Sequence, residues 1–238
     1  MIKVENITKE YKKTKAIDDI SFEIKNNEIV GLLGVNGAGK TTTMNMLSGY
    51  IEPTKGIIEI NGYNLSKDAQ KAKKEIGYMP ENFPTYKELK VREFLQYMCE
   101  LRDVEKKEIN KNIDEVLNKL NINDIQNKLI KSLSKGYRQR VSLAGTLVFN
   151  PKIIILDEPM SGLDPKQILE IRDIIKELKK EHTIIISSHI LTEITKICDK
   201  VIIINKGKIA KILDINNEED NLEEIFMNII NQEKGGNK

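Results

Sequence analysis

The sequence predicts an α/β fold: a mainly parallel sheet, an antiparallel β arm and an inserted helical subdomain. Three observations carry this. Ile29 to Leu33, Ile153 to Asp157, Thr183 to Ser187 and Val201 to Asn205 are continuous apolar runs of strand length, the pattern of strands covered on both faces. Met1 to Thr8, Ala16 to Lys25 and Ile57 to Ile60 alternate, or run into the turn pair Asn61-Gly62, which fits antiparallel pairing. Between Phe83 and Asn150 the periodicity is helical: Ile109, Ile113, Val116, Leu117 and Leu120 form one apolar stripe on a polar segment.

Further along, Pro165 to Lys180 reads as a helix with Asp164 as N-cap and Pro165 at its first position. Leu222, Ile225, Phe226, Ile229 and Ile230 form a short amphipathic helix, expected to dock on its own domain. The last residues, Gly235 to Lys238, are expected to fray. The division predicted is a single domain over 1–238. Its core and β arm occupy 1–82 and 151–212, the helical subdomain 83–150 and an amphipathic tail 213–238.

A chain of 238 residues suits one large α/β domain or two small ones and can bury a core without disulfides or metal. Its 39% hydrophobic and 31% charged residues are an ordinary globular balance, and a net charge of +2 gives no global field for nucleic acid. Cys99 and Cys198 lie far apart without metal-ligand spacing, which reads as free thiols in a reducing compartment. No apolar run approaches the ~20 residues of a membrane span, and the first residues lack a secretory signal.

Gly34-Val35-Asn36-Gly37-Ala38-Gly39-Lys40-Thr41 matches G-x-x-x-x-G-K-[ST], after an apolar run and before a helical stretch. Glycines let the backbone curl its N–H groups toward an anion, and the helix starting near Lys40 adds its positive end. Lys40 is expected to reach the β- and γ-phosphates of ATP, and the Thr41 hydroxyl to ligate Mg²⁺. The nucleotide-binding set extends to Thr42. Ile153 to Leu156 ends in Asp157 and Glu158. Alone, such an end can equally be a strand leaving for solvent. Beside a phosphate loop, a parallel sheet delivers it to the nucleotide edge. Asp157 is then placed to hold Mg²⁺, directly or through water, and Glu158 to accept a proton from attacking water.

At this point the chain resembles the ATP-binding cassette (ABC) ATPases, over nearly its whole length. Leu133-Ser134-Lys135-Gly136-Tyr137-Arg138-Gln139-Arg140 looks like the family signature LSGGQ-x-x-R, and Ser161-Gly162-Leu163-Asp164 like its D-loop. His189 matches the switch histidine, and Tyr11 the aromatic residue that stacks on adenine. The resemblance implies that Ser134 and Gly136 contact the γ-phosphate held by a second subunit, the two chains sandwiching two ATP molecules, most simply as a homodimer. Two departures stand out. Lys135 and Tyr137 replace the signature's usual Gly and Gln, and Glu81 stands where the Q-loop has Gln. Glu81 is a further candidate Mg²⁺ contact. The Glu variant is similar to the exporter branch. A multi-span membrane permease is therefore the implied partner, at the cytoplasmic face of the cell membrane. Soluble family members in translation or DNA repair have tandem cassettes or long coiled coils, absent here. A purely regulatory ATP-binding module is disfavoured by the presence of Glu158 and His189.

Overall fold

The computed structural model describes residues 1–12, 14–84, 86–215 and 222–234. The expected fraying at 235–238 lies outside them. The chain opens with β1 (Ile2–Tyr11), β2 (Thr14–Ile24) and β3 (Ile29–Leu33), then α1 (Lys40–Leu47), β4 (Lys55–Ile60), β5 (Tyr63–Asn64), α2 (Ala69–Lys74) and β6 (Ile76–Met79). A helical stretch follows: α3 (Val91–Leu101), α4 (Lys106–Lys119) and α5 (Lys135–Leu147). The remainder is β7 (Ile153–Asp157), α6 (Pro165–Leu178), β8 (Thr183–Ser188), α7 (Leu191–Ile194), β9 (Lys200–Asn205), β10 (Lys208–Asp214) and α8 (Leu222–Lys234).

The strands form two sheets. The antiparallel arm has the order β2-β1-β4-β5; the central sheet has the order β10-β9-β3-β8-β7-β6 and is parallel except where β10 returns antiparallel to β9. The arm's β4–β5 turn places Asn61 at φ 48° and Gly62 at φ 82°, the left-handed pair that Asn-Gly adopts cheaply in tight hairpins. Asp164 caps α6 as expected: its carboxylate accepts from Gln167 N at 2.9 Å.

The continuous apolar strands are explained by two cores, one on each face of the central sheet. Ile154, Leu156, Ile184, Ile186, Val201 and Ile203 face the helical stretch and α6. Their alternate neighbours Ile153, Ile155, Ile185, Ile202 and Ile204 face the β arm and α1. Side chains alternate across a strand, so only an all-apolar run satisfies both faces. The α4 stripe of Ile109, Ile113, Val116 and Leu117 is buried in the same cluster as the sheet face, together with Leu222 and Phe226 of α8. The tail helix docks on its own chain.

Three strands escape the sequence reading, the two-residue β5 among them. Ile76 to Met79 is not among the runs that read as strands, yet it is β6, parallel to β7. Its four residues include Gly77, whose missing Cβ makes room for the Thr146 carbonyl of α5, 2.6 Å from where a Cβ would lie. β10 has an exposed, alternating face and is edge-like in composition.

Candidate nucleotide site

Parallel pairing brings four strand ends to one edge. Leu33 pairs with Ser188, Asp157 with Ser187, and Leu156 with Met79. The loops leaving β3, β7, β8 and β6 therefore converge. They enclose a cavity of about 420 Å³ lined by Asn36, Gly37, Gly39, Lys40, Thr41 and Thr42 from the glycine-rich loop, with Glu81, Glu158, Ser161 and His189 opposite and Ala16 of β2 at the side. A larger cavity, about 530 Å³, lies elsewhere, between α4 and the core around His182, and contains none of the nominated residues.

The loop's shape follows from its glycines. Gly39 sits at φ 112°, and a Cβ there would fall 2.6 Å from Ile17 Cδ1 and 2.9 Å from the Ala16 carbonyl. Only glycine permits both that backbone and that approach to β2. Gly39 is the N-cap of α1 and offers no side-chain cap, so the first N–H groups of the helix are left for an anion. The Lys40 ammonium folds back onto the loop, donating to Gly34 O at 2.8 Å and Val35 O at 3.3 Å. Its side chain is 6% exposed and lies 3.6 Å from Glu158 Oε1. Gly34, Val35 and Ala38 form the back of the loop without lining the cavity; Ala38 N donates to Val35 O at 3.1 Å.

On the acidic side, Asp157 is buried at 1% exposure. Its Oδ1 accepts from Ser187 Oγ at 2.5 Å, while Oδ2 is buried with no hydrogen-bond partner among the described residues. Glu158 turns the backbone out of the strand in the left-handed region, at φ 49°. Its N–H donates to Ser187 Oγ at 2.9 Å, and its Oε2 accepts from His189 Nδ1 at 2.9 Å. The carboxylate is thus held between one buried ammonium and one imidazole. The turn carrying His189 is fixed by Ser188, which donates to Glu193 Oε2 at 2.7 Å and accepts from Ile190 N at 3.0 Å. Burial pushes the Glu193 carboxyl above its ordinary range.

Three nominated residues belong neither to the glycine-rich loop nor to the acidic strand end and lie off the cavity. Tyr11 ends β1 at the hairpin tip, in register with Thr14, 49% exposed, with the Lys9 ammonium 5.3 Å from its ring centroid. Ser134 is the N-cap of α5, its hydroxyl accepting from Tyr137 N at 3.4 Å. Gly136 is buried, and a Cβ there would strike the Gln167 side chain at 2.6 Å. Gly136 therefore has a reason within its own chain: α5 must approach the start of α6. Ala16 was not nominated from sequence, and nothing in its type signals a role. Ser187 was missed as well, although a buried hydroxyl ending an all-isoleucine run is a visible signal.

The parallel sheet, glycine-rich loop and acidic strand end define a P-loop nucleotide-binding protein. The model of the family described as ABC transporter matches residues 17–161, and the chain belongs to that family as an ATP-binding subunit. It is 48% identical over 208 residues, 87% of this chain and 75% of the relative, to an uncharacterized ABC transporter ATP-binding protein, MJ1023, of Methanocaldococcus jannaschii. It is 42% identical over 213 residues, 89% of this chain and 69% of the relative, to the bacitracin transport ATP-binding protein BcrA of Bacillus licheniformis. Among solved structures it is similar to the dimeric post-hydrolysis state of the ATP-binding cassette MJ0796 bound to ADP and Pi. That match has a TM-score of 0.81 at 25% identity and covers 90% of this chain and 99% of that one.

Proposed function

We propose that this chain hydrolyses ATP to power export through a separate multi-span permease, closing as a homodimer on two ATP molecules. The observation that carries the hydrolytic part is Glu158, held between Lys40 and His189 at the rim of the phosphate cavity. Lys40 would exchange its loop carbonyls for the β- and γ-phosphates, while the open N–H groups at the start of α1 take the remaining phosphate oxygens. Glu158 would orient the attacking water and take its proton, with His189 steadying the carboxylate through Nδ1–H.

A divalent cation fits the donor set. Asp157 Oδ2 is a buried carboxylate oxygen with no partner among the described residues, which a protein interior rarely tolerates without a cation or donor. Asp157 and Thr41, with Glu81 nearby, are the residues that would hold Mg²⁺, which neutralises charge on the phosphates when bound.

Dimerisation is supported by the likeness to a dimeric cassette bound to ADP and Pi. In an isologous pair, Ser134 and Gly136 would complete the partner's site, which accounts for their distance from their own. Tyr11 would stack on adenine from the hairpin tip. Export is favoured by Glu81 in the Q-loop position, and transport by the likeness to the bacitracin transport subunit. Among the described residues no helix is long and apolar enough to cross a membrane; the transport reading itself supplies the membrane partner and sets this chain peripherally at the cytoplasmic face. The proposed division is one ATPase domain with core and arm at 1–82 and 151–212, helical subdomain at 83–150 and tail at 213–238.

The test begins with the neighbouring genes: a multi-span protein encoded there is co-expressed with this chain, followed by detergent purification and ATPase assay. Co-elution, with hydrolysis that responds to the partner, is expected. Persistent separation of two folded proteins would count against the transport reading.

A further inference from the structure

We propose that Ser187 is a positioning residue for the hydrolytic reaction, its single hydroxyl setting both the metal-facing oxygen of Asp157 and the backbone of Glu158. A serine hydroxyl has one proton to give and lone pairs to receive. Here the proton goes to Asp157 Oδ1 at 2.5 Å, and a lone pair takes the Glu158 N–H at 2.9 Å. Ser187 is 0% exposed and Asp157 1% exposed, so water does not compete for either bond. The pairing of β7 with β8 sets Asp157 opposite Ser187, and the hydroxyl reaches across that pair.

Two consequences follow. With Oδ1 engaged, the Asp157 carboxylate has one orientation, and Oδ2 is the oxygen left without a partner. A carboxylate pinned through one oxygen loses less freedom when the other takes a cation, and hydrogen bonds to metal ligands typically change metal affinity by about 10–100-fold. Glu158, for its part, adopts φ 49°, a conformation that a residue with a Cβ keeps only when its surroundings hold it there. The bond from Glu158 N to Ser187 Oγ is such a hold. It fixes the turn that sends the side chain toward Lys40 and His189 rather than onward along the strand. Ser188 cannot substitute, because its hydroxyl is committed to Glu193 and Ile190 N.

This role rests on the reading of Asp157 as the metal carboxylate. The test uses the full-length chain complexed with ADP and Mn²⁺ as the probe cation. Bound Mn²⁺ is measured from the free-ion electron paramagnetic resonance signal, and ADP affinity is measured separately in EDTA. Ser187→Ala is expected to weaken Mn²⁺ binding by about 10-fold or more and to leave metal-free ADP affinity within about 2-fold. Ser187→Thr keeps the hydroxyl and should restore most of the Mn²⁺ affinity. If the alanine variant fails to fold, Ser187→Cys carries the same expectation, since a thiol fills the volume but is a weak donor. Unchanged Mn²⁺ affinity in the alanine or cysteine variant would overturn the proposal. So would an equal loss of metal-free ADP binding, which marks general disorder of the edge. Asp157→Asn separates the two readings. If it loses Mn²⁺ while Ser187→Ala does not, the positioning role fails and Asp157 stands. If it retains Mn²⁺, the assignment of Asp157 falls and the role of Ser187 falls with it.

Discussion

Replacing Glu158 by Gln removes one charge from a site where that charge touches two partners. Oε1 lies 3.6 Å from the Lys40 ammonium, with side-chain exposures of 11% and 6%. At an effective dielectric near 20 the direct attraction is about 4–5 kcal/mol, much of it offset by the desolvation of both groups. Before nucleotide binds, this pair competes with phosphate for Lys40. The neutral amide competes less, so ATP affinity should be unchanged or tighten by up to about tenfold, the equivalent of ~1.4 kcal/mol. Turnover should move the other way. The amide keeps the size and can still accept from His189 Nδ1, but it is a far poorer base, and hydrolysis should fall by ~10²–10⁴-fold. If ATP bridges two chains, a slow site leaves them closed, because a ligand favouring the closed pair shifts the equilibrium toward it. Size-exclusion chromatography with light scattering should then report twice the 27.2 kDa chain mass with MgATP and the single mass without it. Adding Ser134→Ala should weaken that dimer. Normal turnover in Glu158→Gln would refute the base assignment. An inactive variant that stays monomeric at saturating MgATP would leave the base standing and refute the sandwich for the isolated chain.

Four further outcomes are expected. Lys40→Ala should abolish steady-state ATPase activity, since Lys40 is the cation the loop offers to the phosphates; wild-type turnover would remove the loop from the mechanism. Tyr11→Ala should weaken ATP and GTP alike, because a flat ring accepts any base, and unchanged affinity for both would exclude stacking. Glu81→Gln should keep much of the basal hydrolysis while altering the response to the permease; a loss as complete as in Glu158→Gln would make Glu81 catalytic. His182, buried and donating from Nδ1 to the Pro151 carbonyl at 2.7 Å, has its pKa lowered, chiefly by burial. The folded chain therefore resists protonating it, while the unfolded chain takes up that proton below about pH 6.5. Stability should be full above that pH and decline as pH falls below it. His182→Gln should flatten that part of the profile in urea unfolding at pH 5.5 and 7.5, and an unchanged slope would refute the argument.

The elements that determine their own conformation were legible in the sequence. Gly34 to Thr41 specifies a curled loop because its glycines permit the backbone and its lysine follows at fixed spacing. The four apolar runs specify buried strands, because only a strand covered on both faces is apolar at every position. Asp164-Pro165 marks a helix start by capping chemistry alone. β6 and β10 were not legible: β6 is four residues with a glycine inside, and β10 is an edge strand whose exposed positions mix lysines with Ala210 and Ile212. Both depend on neighbours far away in the chain. The site divides in the same way. Sequence nominated Lys40, Asp157, Glu158 and His189, whose types and motif positions are local facts. Tertiary structure alone decided that Glu158 sits between Lys40 and His189, that Asp157 keeps one oxygen unpartnered, and that Ser187 bonds both acidic residues. Those relations depend on strand order and register, with β8 lying between β3 and β7. Register is set by how two cores pack onto opposite faces of one sheet, a property of the assembled chain that no single segment contains.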